Sequence, residues 1–109
     1  MKTILIPVAF VMAAAGCGQA VASAKLAEAK QCMQCHSVDK DTIGPSFQKI
    51  KAIYSPMKNR EAKLIDVMRH GSDATLGPMS GRARMPDDSE RPPITNREAK
   101  QLARWILAQ

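Results

Sequence analysis

Apolar residues recur at helical spacing in four stretches of the chain, and no stretch alternates in the way that a half-buried strand does. A short alanine-rich stretch predicts a first helix at about 25–31. The turn signal at 44–45 precedes a second helix, which Pro56 ends. A third helix is predicted to begin near Asn59, a favourable N-cap, and to end at Gly71. The pattern therefore predicts an all-α fold.

The last predicted helix has the clearest start signal. Residues Thr95 to Glu98 form a capping box, and an apolar stripe follows to the end of the chain. The stripe consists of Ala99, Leu102, Ala103, Trp105 and Ile106. Before this helix, residues 72–94 hold four prolines and two methionines, Met79 and Met85, without a helical pattern. Because loops this long in small domains are generally functional, this segment is a candidate ligand-bearing loop.

The first twenty-four residues differ in composition from the rest of the chain. Lys2 is followed by an apolar run at 4–15, which is shorter than the roughly 20 apolar residues of a transmembrane helix. Small residues then lead to Ala24. These features predict a secretory signal peptide at 1–24, cleaved after Ala24, and one mature domain at 25–109. Cys17 offers an alternative, as the lipid-modified first residue of a lipoprotein. Both interpretations place Cys32 and Cys35 outside the cytoplasm.

The mature chain has little apolar bulk for its 85 residues, since Phe47, Tyr54 and Trp105 are its only aromatic side chains. A domain of this size commonly needs disulfides, a metal or a cofactor. The full sequence carries a net charge of +6, with basic and acidic residues interleaved. This distribution favours a solvated surface over a nucleic-acid groove.

The chemistry of the chain centres on CMQCH at 32–36. Two cysteines at this spacing can form a redox disulfide, supply half of a zinc site, or bind haem. A zinc site needs four ligands, but the mature chain has no third cysteine and only His70 besides His36. A thioredoxin-type motif belongs to an α/β fold, which the pattern does not predict. Cys-x-x-Cys-His is the c-type haem attachment signal, so we expect Cys32 and Cys35 to form thioethers and His36 to ligate the iron.

With this motif, the chain resembles the small bacterial class I cytochromes c, most closely the c-551 (c8) type. The resemblance covers essentially the whole mature chain and rests on five segments. They are CMQCH at 32–36, IGPSF at 43–47, HGSDATLGP at 70–78, RMP at 84–86 and AKQLARWIL at 99–107. The resemblance implies about four helices wrapped around one covalently bound haem c. It also implies a periplasmic electron carrier, not an enzyme, whose iron cycles between Fe(II) and Fe(III) with His/Met ligation.

The resemblance further implies roles for individual residues. Pro45 matches a proline whose carbonyl accepts a hydrogen bond from the ligand imidazole, and Trp105 matches an aromatic that packs near the haem. Met85, in a Met-Pro step, matches the sixth iron ligand. Met79 is the alternative, because the insertion Ser80–Arg84 separates two halves of the family's usual loop motif. Whether this insertion serves docking stays open.

Two positions stand out from the family pattern. Leu76 occupies the place where many members carry a tryptophan that donates a hydrogen bond to a haem propionate. Arg82 and Arg84 therefore become candidates for that contact. His70 falls at the predicted end of the third helix, where we interpret it as a helix-terminus residue rather than a ligand.

The resemblance to these electron carriers implies a monomer that accepts electrons from one redox protein and passes them to another. It implies neither nucleic-acid binding nor membrane insertion. Basic residues near the haem edge would meet acidic docking surfaces on these partners. The candidates are Lys30, Lys40, Lys49, Lys51, Arg82 and Arg84. Two other functions remain open: a dedicated haem subunit of a periplasmic oxidoreductase complex, and a haem sensor or enzyme with a labile sixth ligand.

Overall fold

The computed structural model describes residues 15–76 and 83–109, and every regular element within these ranges is helical. Four α-helices follow one another along the chain: α1 (Ala15–Ala29), α2 (Phe47–Tyr54), α3 (Arg60–Leu76) and α4 (Asn96–Leu107). A short 3₁₀-helix, Cys32–Gln34, lies between α1 and α2. The predicted all-α fold class is confirmed.

The first helix is longer than predicted. α1 begins at Ala15, rather than near Lys25, and ends at Ala29. Gln31, with φ 64°, then turns the chain into the cysteine motif. The small, alanine-rich sequence favours a helix on both sides of Ala24, so the helix runs through the predicted cleavage site.

The second helix has the predicted bounds, because its first turn is capped and its last turn precedes Pro56. The Ser46 hydroxyl accepts the Lys49 N–H at 3.1 Å. Phe47 and Tyr54 are buried as the apolar spacing predicts.

The third helix begins as predicted and is interrupted at Gly71, where the sequence predicts its end. Leu64, Val67 and Met68 of this helix are buried. The first helical stretch ends at Gly71, as predicted, and a second stretch, which the sequence pattern does not predict, continues to Leu76. Gly71 has φ 81° and ψ 167°, which is not a helical conformation, so α3 consists of two helical stretches joined across a kink.

The fourth helix is the centre of the fold and packs against α1, α2 and α3. The predicted capping box is present: the Thr95 hydroxyl accepts the Glu98 N–H, and the Thr95 N–H donates to the Glu98 carboxylate. The buried face of α4 consists of Ala99, Leu102, Ala103 and Ile106. Ala27 of α1 joins the same core with no exposed area. Small side chains on both helices allow α1 and α4 to approach closely.

The segment before α4 folds onto the end of α3. The Met85 N–H donates to the Ser72 hydroxyl at 2.9 Å, and the Ser72 N–H donates to the Met85 carbonyl at 3.1 Å. The Asp88 N–H donates to the Arg69 carbonyl at 3.2 Å, and the Asp88 carboxylate accepts from Arg91 at 2.9 Å. The methionine-bearing segment is therefore attached to α3 on both sides of Pro86.

Among the helices in residues 15–76 and 83–109, none combines the length and the apolarity that crossing a bilayer requires.

Candidate haem site

A cavity of about 370 Å³ opens between the cysteine motif, α2, α3 and residues 83–86. Much of its wall is aliphatic, including Ile43, Ile50, Ile53, Leu64, Val67 and Ile106. Six candidate residues from the sequence also line it: Cys32, Cys35, His36, Pro45, Arg84 and Met85. The fold thus brings three separate parts of the chain together around one apolar space.

The cysteine motif forms a tight turn on one wall of this cavity. The N–H groups of Cys35 and His36 both donate to the Cys32 carbonyl, at 3.2 and 3.0 Å. Both thiols are free and half-buried, and burial raises the pKa of the Cys32 thiol. The turn therefore presents two reduced sulfurs and one imidazole to the same space, as attachment of a haem edge requires.

The His36 imidazole is held from three sides. Its Nδ1 lies 2.6 Å from the Pro45 carbonyl oxygen, a contact that is satisfied when Nδ1 carries the proton and donates. Phe47 stacks on the ring with centroids 5.4 Å apart. Gly44 lies against the ring edge, since a Cβ there would come 2.6 Å from His36 Cε1. This arrangement leaves Nε2 as the lone-pair nitrogen available to a metal.

Of the described residues, three methionines line the cavity: Met57, Met68 and Met85. Met68 is 4% exposed and belongs to the core on α3. Met57 lies in the turn between α2 and α3. Met85 differs from both because Ser72 forms hydrogen bonds with its backbone N–H and with its backbone carbonyl. Met79, the alternative ligand, lies outside the described residues.

Trp105 and His70 do not belong to the described residues that line the cavity. Trp105 packs edge-on against Phe47, with centroids 5.2 Å apart, so it supports the residue that stacks on His36. The side chain of His70 is 61% exposed, and its Nδ1 lies 3.8 Å from Asp66. This exposed position agrees with a helix-surface residue rather than a ligand. The described ranges also contain no group of three or more His, Cys, Asp or Glu side chains that could hold a metal ion.

The basic residues proposed as partner contacts differ in their availability. Three of them already pair with a carboxylate: Lys30, Lys49 and Arg84. Lys40 is exposed, and Lys51 is half-buried on α2. Arg82 lies outside the described residues.

The cavity wall also contains three polar residues for which the sequence pattern predicts no role: Lys63, Ser72 and Asp73. Helical spacing could predict the position of Lys63, because it lies one turn before Val67 on the same helix and so shares its face. Ser72 and Asp73 follow the kink at Gly71, where helical spacing no longer indicates the direction of a side chain.

Comparison with known proteins places this geometry in a family. The family model "Cytochrome c" matches residues 20–109, which is most of the chain. The chain belongs to the cytochrome c family. Cytochrome c-551 of Stutzerimonas stutzeri is 33% identical over 110 residues, which cover 99% of this chain and 98% of that protein. Cytochrome c-551 of Pseudomonas denitrificans is 36% identical over 83 residues, which cover 76% of this chain and 92% of the relative.

Solved structures give the same relationship at the level of the fold. Wild-type Nitrosomonas europaea cytochrome c552 matches with a TM-score of 0.66 and 29% sequence identity, covering 78% of this chain and 96% of that one. The class 1 cytochrome MtoD from Sideroxydans lithotrophicus ES-1 matches with a TM-score of 0.63 and 27% identity, covering 81% and 92%.

These relationships establish the cofactor and the class of activity. The chain is a monohaem c-type cytochrome with one covalently attached haem c, and it transfers electrons to and from redox proteins rather than catalysing a reaction. The residues present fit this group. Gly44 leaves room for the imidazole, Nε2 of His36 is free for iron, and two thiols stand on one wall of an apolar cavity.

Proposed function

We propose that this cytochrome is a periplasmic shuttle for single electrons between respiratory redox proteins, with His36 and Met85 as the two axial ligands of the iron. Cys32 and Cys35 form the thioether bonds. The observation that carries the proposal is the imidazole fixed by Pro45 and Gly44 in a cavity that Met85 also lines. The bound haem supplies a one-electron Fe(II)/Fe(III) couple.

Each proposed ligand is fixed by a second group. The Pro45 carbonyl holds the His36 Nδ1–H, which sets the direction of Nε2. Ser72 holds the backbone of Met85 from both sides. Ligands that stay in place need little rearrangement when the iron changes its charge, which favours rapid electron transfer. A thioether ligand also favours ferrous iron and raises the reduction potential.

Electron exchange is proposed to occur at the mouth of the cavity. Ile43 and Ile53 line the cavity but are 67% and 50% exposed, so they lie at its edge. A partner that covers these side chains would exclude water between the two cofactors. The net charge, which is +6 for the full sequence and +5 once Lys2 is removed with the signal peptide, favours partners with acidic docking surfaces and a weak, rapidly dissociating interface. This mode of action suits a monomer.

Export is supported by the composition of the first residues. The proposed signal peptide is 1–24, and the family match begins at residue 20. Cleavage after Ala24 would release the cytochrome domain, residues 25–109, into the periplasm. Cys17, the alternative lipid attachment site, is exposed on α1.

Carbon monoxide binding distinguishes a carrier from a sensor or enzyme with a labile sixth ligand. If Met85 fills the sixth position, the ferrous wild-type protein at neutral pH will not take up carbon monoxide promptly. Met85→Ala will bind it, because the position opens. Met57→Ala, which removes another methionine of the same cavity, will behave as the wild type. Prompt, tight binding by the wild-type protein would contradict the carrier proposal.

A further inference from the structure

The cavity wall carries few charges besides the motif that holds His36. Within residues 15–76 and 83–109, its charged side chains are Lys63, Asp73 and Arg84. A haem brings two propionate carboxylates to this space. A carboxylate removed from water without a partner is costly, so these groups need either a cation or solvent.

Two of the three charged side chains are unsuited to this task. The Arg84 guanidinium makes a bidentate pair with the Glu90 carboxylate, which raises the pKa of Arg84 and offsets its charge. Asp73 is an anion and would repel a propionate. Arg84, one of the two candidates from the sequence, is therefore engaged elsewhere, and Arg82 lies outside the described residues.

Lys63 has the opposite properties. In the part of the chain that the structure describes, its ammonium group has no ion pair and no hydrogen bond. The side chain is exposed, although it lines the cavity, so it lies at the cavity's edge. Leu64 and Val67 of the same helix line the wall beside it. A lysine in this position can lay its aliphatic stem on the apolar wall and keep its charge at the solvent boundary.

We propose that Lys63 binds a haem propionate at the mouth of the cavity and thereby raises the reduction potential. A propionate charge near the iron stabilises the ferric state, because the ferric centre is more positive. An ammonium group beside the propionate offsets that charge and so favours reduction. The inference depends on the bound haem c, and it does not depend on which methionine ligates the iron.

The test uses the purified holoprotein and three variants. Lys63→Met keeps the length of the stem and removes the charge, whereas Lys63→Arg keeps the charge. Lys100→Met removes an exposed charge on α4 that does not line the cavity, and it is the matched control. The midpoint potential is measured by spectroelectrochemistry at about 0.1 M salt, where charges more than about 10 Å apart are largely screened. Resonance Raman spectra report the propionate bending modes.

Lys63→Met should lower the equilibrium constant for reduction about threefold, which is about 30 mV for a one-electron couple. It should also shift a propionate bending mode. Lys63→Arg should retain the wild-type potential, and Lys100→Met should change neither observable. The proposal is overturned if Lys63→Met leaves both the potential and the propionate modes unchanged. Equal shifts of the potential in the two methionine variants would overturn it as well, since they would show only a general effect of net charge.

Discussion

Replacing Gly44 by alanine tests whether the chain is built to receive the His36 imidazole closely. A Cβ at this position would lie 2.6 Å from Cε1, 2.9 Å from Nδ1 and 3.2 Å from Nε2 of His36. Real Cβ atoms do not approach other atoms at the shortest of these distances, so the ring must move. Among the described glycines only Gly71 has a positive φ, so alanine suits the backbone at 44 and the effect is steric.

The cost has two contributions. Forcing an extra carbon into a packed site typically costs about 1–3 kcal/mol. Displacing the ring also weakens the 2.6 Å hydrogen bond from Nδ1 to the Pro45 carbonyl, and a bond of this kind contributes about 0.5–1.5 kcal/mol. We therefore expect Gly44→Ala to destabilise the holoprotein by about 2–4 kcal/mol. In a domain of this size, that lowers the melting temperature by roughly 10–25 °C.

Thermal and denaturant unfolding of the ferric holoprotein, followed by circular dichroism, measures this loss. The Soret and visible spectra show in parallel whether the imidazole still ligates the iron. Pro45→Ala is the companion variant, because it keeps the backbone carbonyl that accepts the bond and adds no atom next to the ring. If the free energy of unfolding of Gly44→Ala lies within about 0.5 kcal/mol of the wild-type value, the effect is that of an ordinary surface substitution. That result would refute the close approach of Gly44 to the His36 ring.

Two further predictions concern the segment that carries Met85. Ser72→Ala removes the hydroxyl that accepts the Met85 N–H, so it should lower the free energy of unfolding by about 0.5–1.5 kcal/mol and weaken the sulfur-to-iron charge-transfer band of the ferric protein. Ser72→Thr, which keeps the hydroxyl, should restore both. An unchanged band in the alanine variant would contradict this prediction. Arg84 lowers the pKa of Glu90, and a lowered pKa gives stability that is present above the unfolded pKa and lost as the pH falls through the folded one. Glu90→Gln should therefore reduce the acid-induced loss of stability, measured by unfolding between neutral and acid pH, and identical pH profiles would count against the pair.

Local signals in the sequence were sufficient for the parts of the fold that depend on near neighbours. The capping box at Thr95 and Glu98 uses two residues of one helical turn, and it forms as predicted. The cysteine motif likewise needs only five consecutive residues. Pro45 could be linked to His36 only through the resemblance to the family, and the 2.6 Å contact agrees with that expectation.

Features that depend on distant contacts could not be read in the same way. The sequence alone suggests that Gly71 ends α3, because a glycine after the last apolar residue is a common helix terminus. Gly71 does break the helix, but a second helical stretch follows to Leu76, and the carbonyl of Met85, fourteen residues later, lies where a Cβ on Gly71 would stand. The role of Ser72 depends on a distant contact as well, because its hydroxyl and its N–H bond to the backbone of Met85. The extent of α1 differs for another reason, because the composition of residues 1–24 indicates a separate signal peptide, whereas the helix runs from Ala15 to Ala29.

The choice between Met85 and Met79 is the part of the site that depends most on the resemblance. The structure adds that the backbone of Met85 is fixed beside the cavity.

Ligation of the iron by Met85 is tested most directly by comparing the ferric spectra of Met85→Ala and Met79→Ala. We expect Met85→Ala to lose the weak sulfur-to-iron charge-transfer band, while Met79→Ala and the control Met57→Ala retain it. Loss of the band in Met79→Ala with retention in Met85→Ala would transfer the sixth ligand to Met79. Retention of the band in both variants would contradict His/Met ligation by either residue.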